Sequence, residues 1–310
     1  MRRKWIFVWL SLIFILTFLN SLSWAGEVVT KELRTWAQKM IDQEKAVKAP
    51  LSPNTMAVPY FQNKTGQSEL DPLQKGIALM LTTDLSNVKG FQVLERARFQ
   101  ALVEELGLGA SGLVEPNAAP RVGRLLGAYW LVGGLIVAGK GNQIQIQSSP
   151  LEVPTQKILG QSLSEGELSD LFRMEKDLLF EIIKLLKIEV TPEEEKGLRK
   201  PCSTNIKALM AMFKGIDASD RQNYKQAAEF YEMALKEDPN ICTAKGALKE
   251  LKDLGLIGGN KKSSDLLRSL RDRSSLTDQL TPEDATKRER TPGGISPSEI
   301  RTLPLPNRSD

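Results

Sequence analysis

Ala128-Tyr129-Trp130-Leu131-Val132-Gly133-Gly134-Leu135-Ile136-Val137 is the most apolar stretch of the chain beyond its first 25 residues. A run of this kind is buried on both faces, which predicts a central strand in a sheet covered by helices. The Gly139-Lys140-Gly141-Asn142 turn reverses it into Gln143-Ile144-Gln145-Ile146-Gln147, whose strict alternation marks a strand with one solvated face. Ile158 to Leu163 adds a further strand, and Leu168 to Ile188 a long helix with Leu171, Leu178, Leu179, Ile182 and Leu186 available for the core. Upstream, Met56 to Phe61 reads as a strand. Asp71 at the N-cap and Pro72 at the first helical position open a helix that Gly90 closes. Phe91 to Leu94 reads as a short buried strand, Arg96 to Leu106 as a second helix, and Pro116-Asn117 as the start of a third. Strand, helix, strand, two helices, three strands and a helix give an α/β (α+β) layered domain with a mixed sheet over residues 51–190.

The amino terminus is different in kind. Arg2, Arg3 and Lys4 precede a largely apolar run from Trp5 to Leu16, and Ser23 and Ala25 occupy the small-residue positions of a signal-peptidase site. This three-part layout predicts a Sec signal peptide over residues 1–25. The apolar run is shorter than the ~20 residues a spanning helix needs, so an uncleaved anchor is the weaker reading. The 310-residue sequence has 42 Lys+Arg against 38 Asp+Glu. Loss of residues 1–25 removes three bases and no acid, leaving a nearly neutral chain with no basic footprint for nucleic acid. The expected product is periplasmic, with no integral membrane segment. There is no histidine, which excludes His-based triads, His general acid/base chemistry and His metal sites.

Residues 26–49 carry an amphipathic helix with Leu33, Trp36, Ala37, Met40 and Ile41 on one face. Thr191-Pro192-Glu193-Glu194 begins another helix, with a threonine cap and acids favourable to the helix dipole. From Gly258 to Asp310 there are no aromatics and the charges balance, a composition that predicts a disordered tail over 258–310. Cys202 and Cys242 are the only two cysteines. In an oxidising compartment they could form a disulfide, and the alternative is two free buried thiols.

Two resemblances add to this. Val58-Pro59-Tyr60-Phe61-Gln62-Asn63-Lys64-Thr65-Gly66, Leu73 to Leu85, Phe91-Gln92-Val93-Leu94-Glu95-Arg96 and Leu125 to Gly134 occur in the order seen in the curli-assembly CsgG family and its FlgO and TolB-amino-terminal relatives. Val58 to Leu186 resembles their periplasmic α/β domain. Pore-forming members resemble lipoproteins that insert two β-hairpins per subunit, with ~9–11 alternating residues per crossing. Here the alternating run Gln143 to Gln147 is half that length, and no cysteine lies near residue 25. The resemblance therefore implies the soluble domain. Residues 191–257 resemble a tetratricopeptide repeat: Gly215, Tyr224, Ala227, Tyr231, Ala234 and Pro239 fit its pattern, while Ala211 and Lys214 depart from it. One such hairpin cannot bury its face alone, so it is expected to dock on the α/β domain or on a partner.

No catalytic, cofactor-binding or metal-binding constellation emerges. Gly107-Leu108-Gly109-Ala110-Ser111-Gly112 matches a dinucleotide fingerprint in letters only, because a helix precedes it where a strand is needed. Glu104-Glu105 reads as a solvated helix face. The sequence points to a non-enzymatic protein of cell-envelope biogenesis or secretion, acting through envelope or outer-membrane protein partners and open to homo-oligomerisation. Its expected partner-binding surface is the hairpin around Tyr224 and Tyr231, with the loop Gly107 to Pro116. The rival readings are a curli-type secretion-channel subunit, a periplasmic hydrolase and a ligand sensor.

Overall fold

The computed structural model describes residues 27–44, 51–108, 118–241 and 243–258. The expected signal peptide, most of the loop Gly107 to Pro116, Cys242 and the tail beyond Gly258 lie outside them. The described residues up to Ile257 belong to one compact unit.

After α1 (Lys31–Asp42) come β1 (Thr55–Ala57), β2 (Phe61–Asn63), α2 (Pro72–Leu85), β3 (Gln92–Val93), α3 (Arg96–Glu105) and α4 (Ala118–Leu126). Then follow β4 (Trp130–Leu131), β5 (Gly134–Ala138), β6 (Ile144–Ser148), β7 (Leu151–Glu152), β8 (Lys157–Ile158), β9 (Ser162–Gly166) and α5 (Leu171–Leu185). The strands form two mixed sheets, ordered β3-β1-β4-β7-β8 and β2-β5-β6-β9. Consecutive short strands, β1 with β2, β4 with β5, β6 with β7 and β8 with β9, pass from one sheet into the other. Hydrogen bonds cross the break: Val132 N donates to Ala57 O at 3.0 Å, Ser149 N to Gly133 O at 3.1 Å and Leu159 N to Pro150 O at 3.0 Å. The sheets are thus two halves of one surface, bent along a line through Pro59, Gly133, Pro150 and Gly160.

The bend has a local cause. Pro59 and Pro150 lack the N–H that a flat ladder would use. Gly133 and Gly134 let neighbouring backbone close in: a Cβ on Gly134 would lie 1.8 Å from Gln147 O and 2.6 Å from Phe61 Cε1. The expected single strand Ala128 to Val137 is therefore split into β4 and β5. It still holds an interior place in both sheets. β6 keeps the alternation read from sequence, with Ile144, Ile146 and Ser148 buried and Gln145 and Gln147 half-buried.

Three other expectations change. Ile158 to Leu163 is two edge strands rather than one, so Ile158 and Leu163 are 60% and 49% exposed. β3 is also an edge strand, with Gln92 exposed and Val93 half-buried. Asp71 is not a side-chain N-cap: its backbone is already helical because a 3-10 turn, Ser68–Leu70, leads into α2. Its carboxylate instead accepts from Asn63 Nδ2 at 2.8 Å, holding the turn after β2.

The core lies between the sheet and the helices: α5 packs on β6 and β9, and α2 on β2 and α5. Beyond α5, α6 (Pro192–Leu198) starts with a full capping box, in which Glu194 N donates to Thr191 Oγ1 and Thr191 N to Glu194 Oε2. These bonds, with a further one from Lys89 N, push the Glu194 carboxyl down to about 2.

α7 (Ile206–Asp220), α8 (Tyr224–Glu237) and α9 (Ala244–Asp253) are the last of the described elements. Two glycines set how closely the helices approach. A Cβ on Gly215 would stand 2.5 Å from the Tyr231 ring, and one on Gly76 in α2 would stand 2.3 Å from the Phe213 ring in α7. α7 is thereby packed against α8 on one side and against α2 on the other. The hairpin docks on the α/β domain.

Candidate interaction site at the domain–hairpin junction

The strand-to-helix step Glu95-Arg96 places Arg96 at the first position of α3, 4% exposed, facing the end of α7. There Asp220, also 4% exposed, takes its guanidinium in a fork: Nη1 lies 3.0 Å from Oδ2 and Nη2 3.2 Å from Oδ1. Two planar groups meeting in this way form the strongest ordinary ion-pair geometry. Arg96 Nε pairs with Glu27 Oε2 at 3.1 Å, and its Nη2 donates to the Glu27 carbonyl. Lys75 in α2 bridges Asp220 at 2.8 Å and Asp217 at 3.0 Å. Its ammonium also stands 5.5 Å from the centre of the Tyr60 ring. Tyr60 donates to Gln100, Gln100 to Glu104, and Glu104 accepts from Arg34 of α1. A polar chain therefore runs from α1 through α3 to α2 and α7. Glu104, read from sequence as part of a solvated face, is a link in it because α1 covers that side of α3.

Burial sets the electrostatics. It works against the charge on Arg96, but the fields of Asp220 and Glu27 outweigh it, and the guanidinium is held well above its ordinary value. Desolvation raises the Glu27 carboxyl against the lowering pull of Arg96. Beside this network a cleft of about 380 Å³ opens, lined by Tyr60, Ser68, Gln74, Lys75, Asp217 and Arg221. Its charged side chains are already committed: Lys75 to both aspartates, and Arg221 Nη2 to Asp217 at 2.9 Å. Such an arrangement holds elements in place. Among the described residues no cluster of metal-ligating side chains occurs.

Tyr231, expected on a partner-binding surface, is 1% exposed and fills the space over Gly215. Tyr224 is half-buried against the core. The outward face of α8 instead carries Met233, 51% exposed. Cys202 is disulfide-bonded, and Cys242 lies outside the described residues. Sequence reasoning passed over Asp220 and Glu27. A signal existed in the acid that ends the apolar helix at Asp220, but the partner of an isolated charge is set by tertiary contact.

A second buried charge lies in α5. Glu175 is fully buried, with neither carboxylate oxygen hydrogen-bonded, beside Lys176 Nζ at 3.3 Å from Oε2. Lys176 also pairs with Asp84 of α2. Desolvation, and then the Asp84 charge, raise the Glu175 carboxyl well above its ordinary range. The folded protein thus holds a proton that the unfolded chain releases above its ordinary value of 4.5. Stability falls as pH rises from there towards the folded value. We expect Glu175→Gln to unfold with the wild type near about pH 4 and to be more stable by about 1–3 kcal/mol near about pH 8, read from urea titrations. Parallel curves at both pH values would reject this.

The structure is thus an α/β domain carrying a helical hairpin clamped by buried ion pairs. Residues 37–144 match the family described as "Curli production assembly/transport component CsgG". Among solved structures, the C-terminal domain of LpoB from Salmonella enterica aligns at 16% identity, over 44% of this chain and 95% of its own, with a TM-score of 0.29. The same domain from Escherichia coli aligns at 16% identity, 44% and 98% coverage and a TM-score of 0.29. An NMR structure of E. coli LpoB gives 18%, 43%, 66% and 0.31. No curated protein matches the chain.

Proposed function

We propose that this is a non-catalytic protein of the bacterial periplasm that serves envelope biogenesis through contacts with envelope proteins. The observation that carries the reading is the CsgG-family match over residues 37–144. The geometry supports it: charged groups at the junction are spent on fixing the hairpin to the domain, which suits a rigid platform. The tetratricopeptide-like pattern belongs to the same reading, with Gly215 and Tyr231 as its packing pair. Export by cleavage after Ala25 completes it.

Crosslinking in intact cells followed by mass spectrometry tests the proposal. A specific envelope protein joined to this chain is the expected result, and crosslinks to copies of itself alone would favour a secretion ring instead.

The same compartment allows Cys202 to pair with Cys242. Closing a loop of this length stabilises by roughly 3–4 kcal/mol in the chain-entropy model. Cys202→Ser should lower stability by about that much, and the oxidised wild type should show no free thiol. Two titratable thiols in the oxidised sample would remove the bridge.

A further inference from the structure

β9 is the outermost strand of its sheet, and among the described residues no strand lies beyond it. Which of its backbone groups face outward follows from the ladder. Ser149 N donates to Gly133 O and Gly139 N to Gln143 O, so the odd-numbered residues along β6 turn their backbone groups towards β5. The even-numbered ones, Ile144, Ile146 and Ser148, therefore bond to β9, where their partners are Gly166, Ser164 and Ser162. That leaves Leu163 and Glu165 with both N–H and C=O directed off the edge. Arg173 of α5 agrees with this, since its Nη2 reaches round to Glu165 O at 2.9 Å. It covers that one carbonyl.

The side chains of β9 alternate as well. Ser162, Ser164 and Gly166 are buried, and Ser164 donates to Asp177 of α5. Leu163 and Glu165 stand on the face away from that helix, with Leu163 49% exposed. The Glu165 carboxylate accepts a single long bond, from Gln145 Nε2 at 3.4 Å, and no cation among the described residues pairs with it. Proteins ordinarily blunt such an edge with proline, lysine or a bulge. β9 has no proline or lysine, and its register with β6 is unbroken.

We propose that β9 is a docking edge for an extended segment of another protein, which joins the four-stranded sheet and carries on one face an aliphatic residue beside Leu163 and a basic residue beside Glu165. Side chains on one face of a strand recur at every second residue, so these two are separated by one. The outward backbone groups of Leu163 and Glu165 supply main-chain affinity, and the two side chains supply selection. A second copy of this chain does not meet the requirement: β9 carries no Lys or Arg, so a copy paired with it would bring another acid and leave both Glu165 carboxylates unmatched. The edge rests on the reading above that the protein works through contacts, and it gives those contacts a surface.

The test uses a blocked synthetic peptide of about eight residues, with serine at alternate positions and valine or lysine between them. We expect hydrogen exchange at the Leu163 and Glu165 amides to slow when the peptide is added, while the Ser162 and Ser164 amides, already bonded to β6, do not change. Leu163→Pro removes an outward donor and no bond to β6, so it should keep the fold and weaken binding about tenfold. Glu165→Gln should weaken it about two- to fivefold, and a peptide with glutamine for lysine should bind wild type and variant alike. Unslowed amides at millimolar peptide, or equal binding to Leu163→Pro, would overturn the docking edge. Dimerisation of the wild type without peptide, abolished by Leu163→Pro, would place a second copy there and overturn the choice of partner. The exchange pattern is read on the wild type, whether or not the variants fold. No envelope protein enters the test, so its failure leaves the crosslinking result untouched.

Discussion

Arg96→Ala should cost about 3–5 kcal/mol, a fall of roughly 6–20 °C in melting temperature for a folded body of this size. The loss comes mainly from what remains. Asp220, with its side chain 1% exposed, would keep only Lys75 as a partner, and Glu27 would keep none of its two Arg96 contacts. A buried carboxylate with too few donors is costlier than a pair removed whole. Replacing both members with apolar groups, as in Arg96→Met with Asp220→Leu, should therefore recover the share of the loss that comes from Asp220, while Glu27 stays without Arg96 and Lys75 stays paired to Asp217. Urea denaturation of the two proteins reads the difference. If the single variant fell by under about 1 kcal/mol, the junction would be no stronger than a surface salt bridge.

Gly134→Val should be more damaging still, above about 4 kcal/mol and visible first as insoluble protein, and a contrast with its neighbour isolates the cause. The added Cβ would meet a backbone oxygen, Gln147 O, at 1.8 Å, and backbone cannot swing aside as a side chain can. β5 would have to leave β6, and the hairpin forms the middle of its sheet. At Gly133, one residue earlier, a Cβ would sit 3.3 Å from Pro59 Cβ. Gly133→Ala should cost no more than about 1 kcal/mol. Circular dichroism melts of the two variants separate a close backbone approach from a general dislike of side chains at the bend. Similar losses at both positions would refute the assignment.

Much of the α/β layer was legible because burial imposes a period. The alternation at Gln143 to Gln147 became β6 with its isoleucines inward, and the Thr191-Pro192-Glu193-Glu194 start became a capped helix through bonds that span three residues. Local chemistry was enough in both cases. It failed at Asp71, where a cap signal was overridden by the 3-10 turn before it, and at Ala128 to Val137, where composition could not show that two prolines on neighbouring strands would bend the sheet. Tyr231 is the clearest case at the candidate site. An aromatic in a repeat-like helix can face a partner or the sister helix, and the glycine opposite it takes meaning only once α7 and α8 are packed.

The sequence by itself determined which segments are helical and which are extended, the absence of histidine chemistry, and the near balance of charges beyond residue 25. Each depends on residues close together or on simple counts. Only the tertiary structure decided that Glu27, Lys75, Arg96, Asp220 and Glu250 belong to one cluster. They are spread over most of the folded chain, and a charge carries no local mark of its partner. The pairing is fixed by where helices dock, which depends on small contacts such as Gly76 against Phe213 and Gly215 against Tyr231.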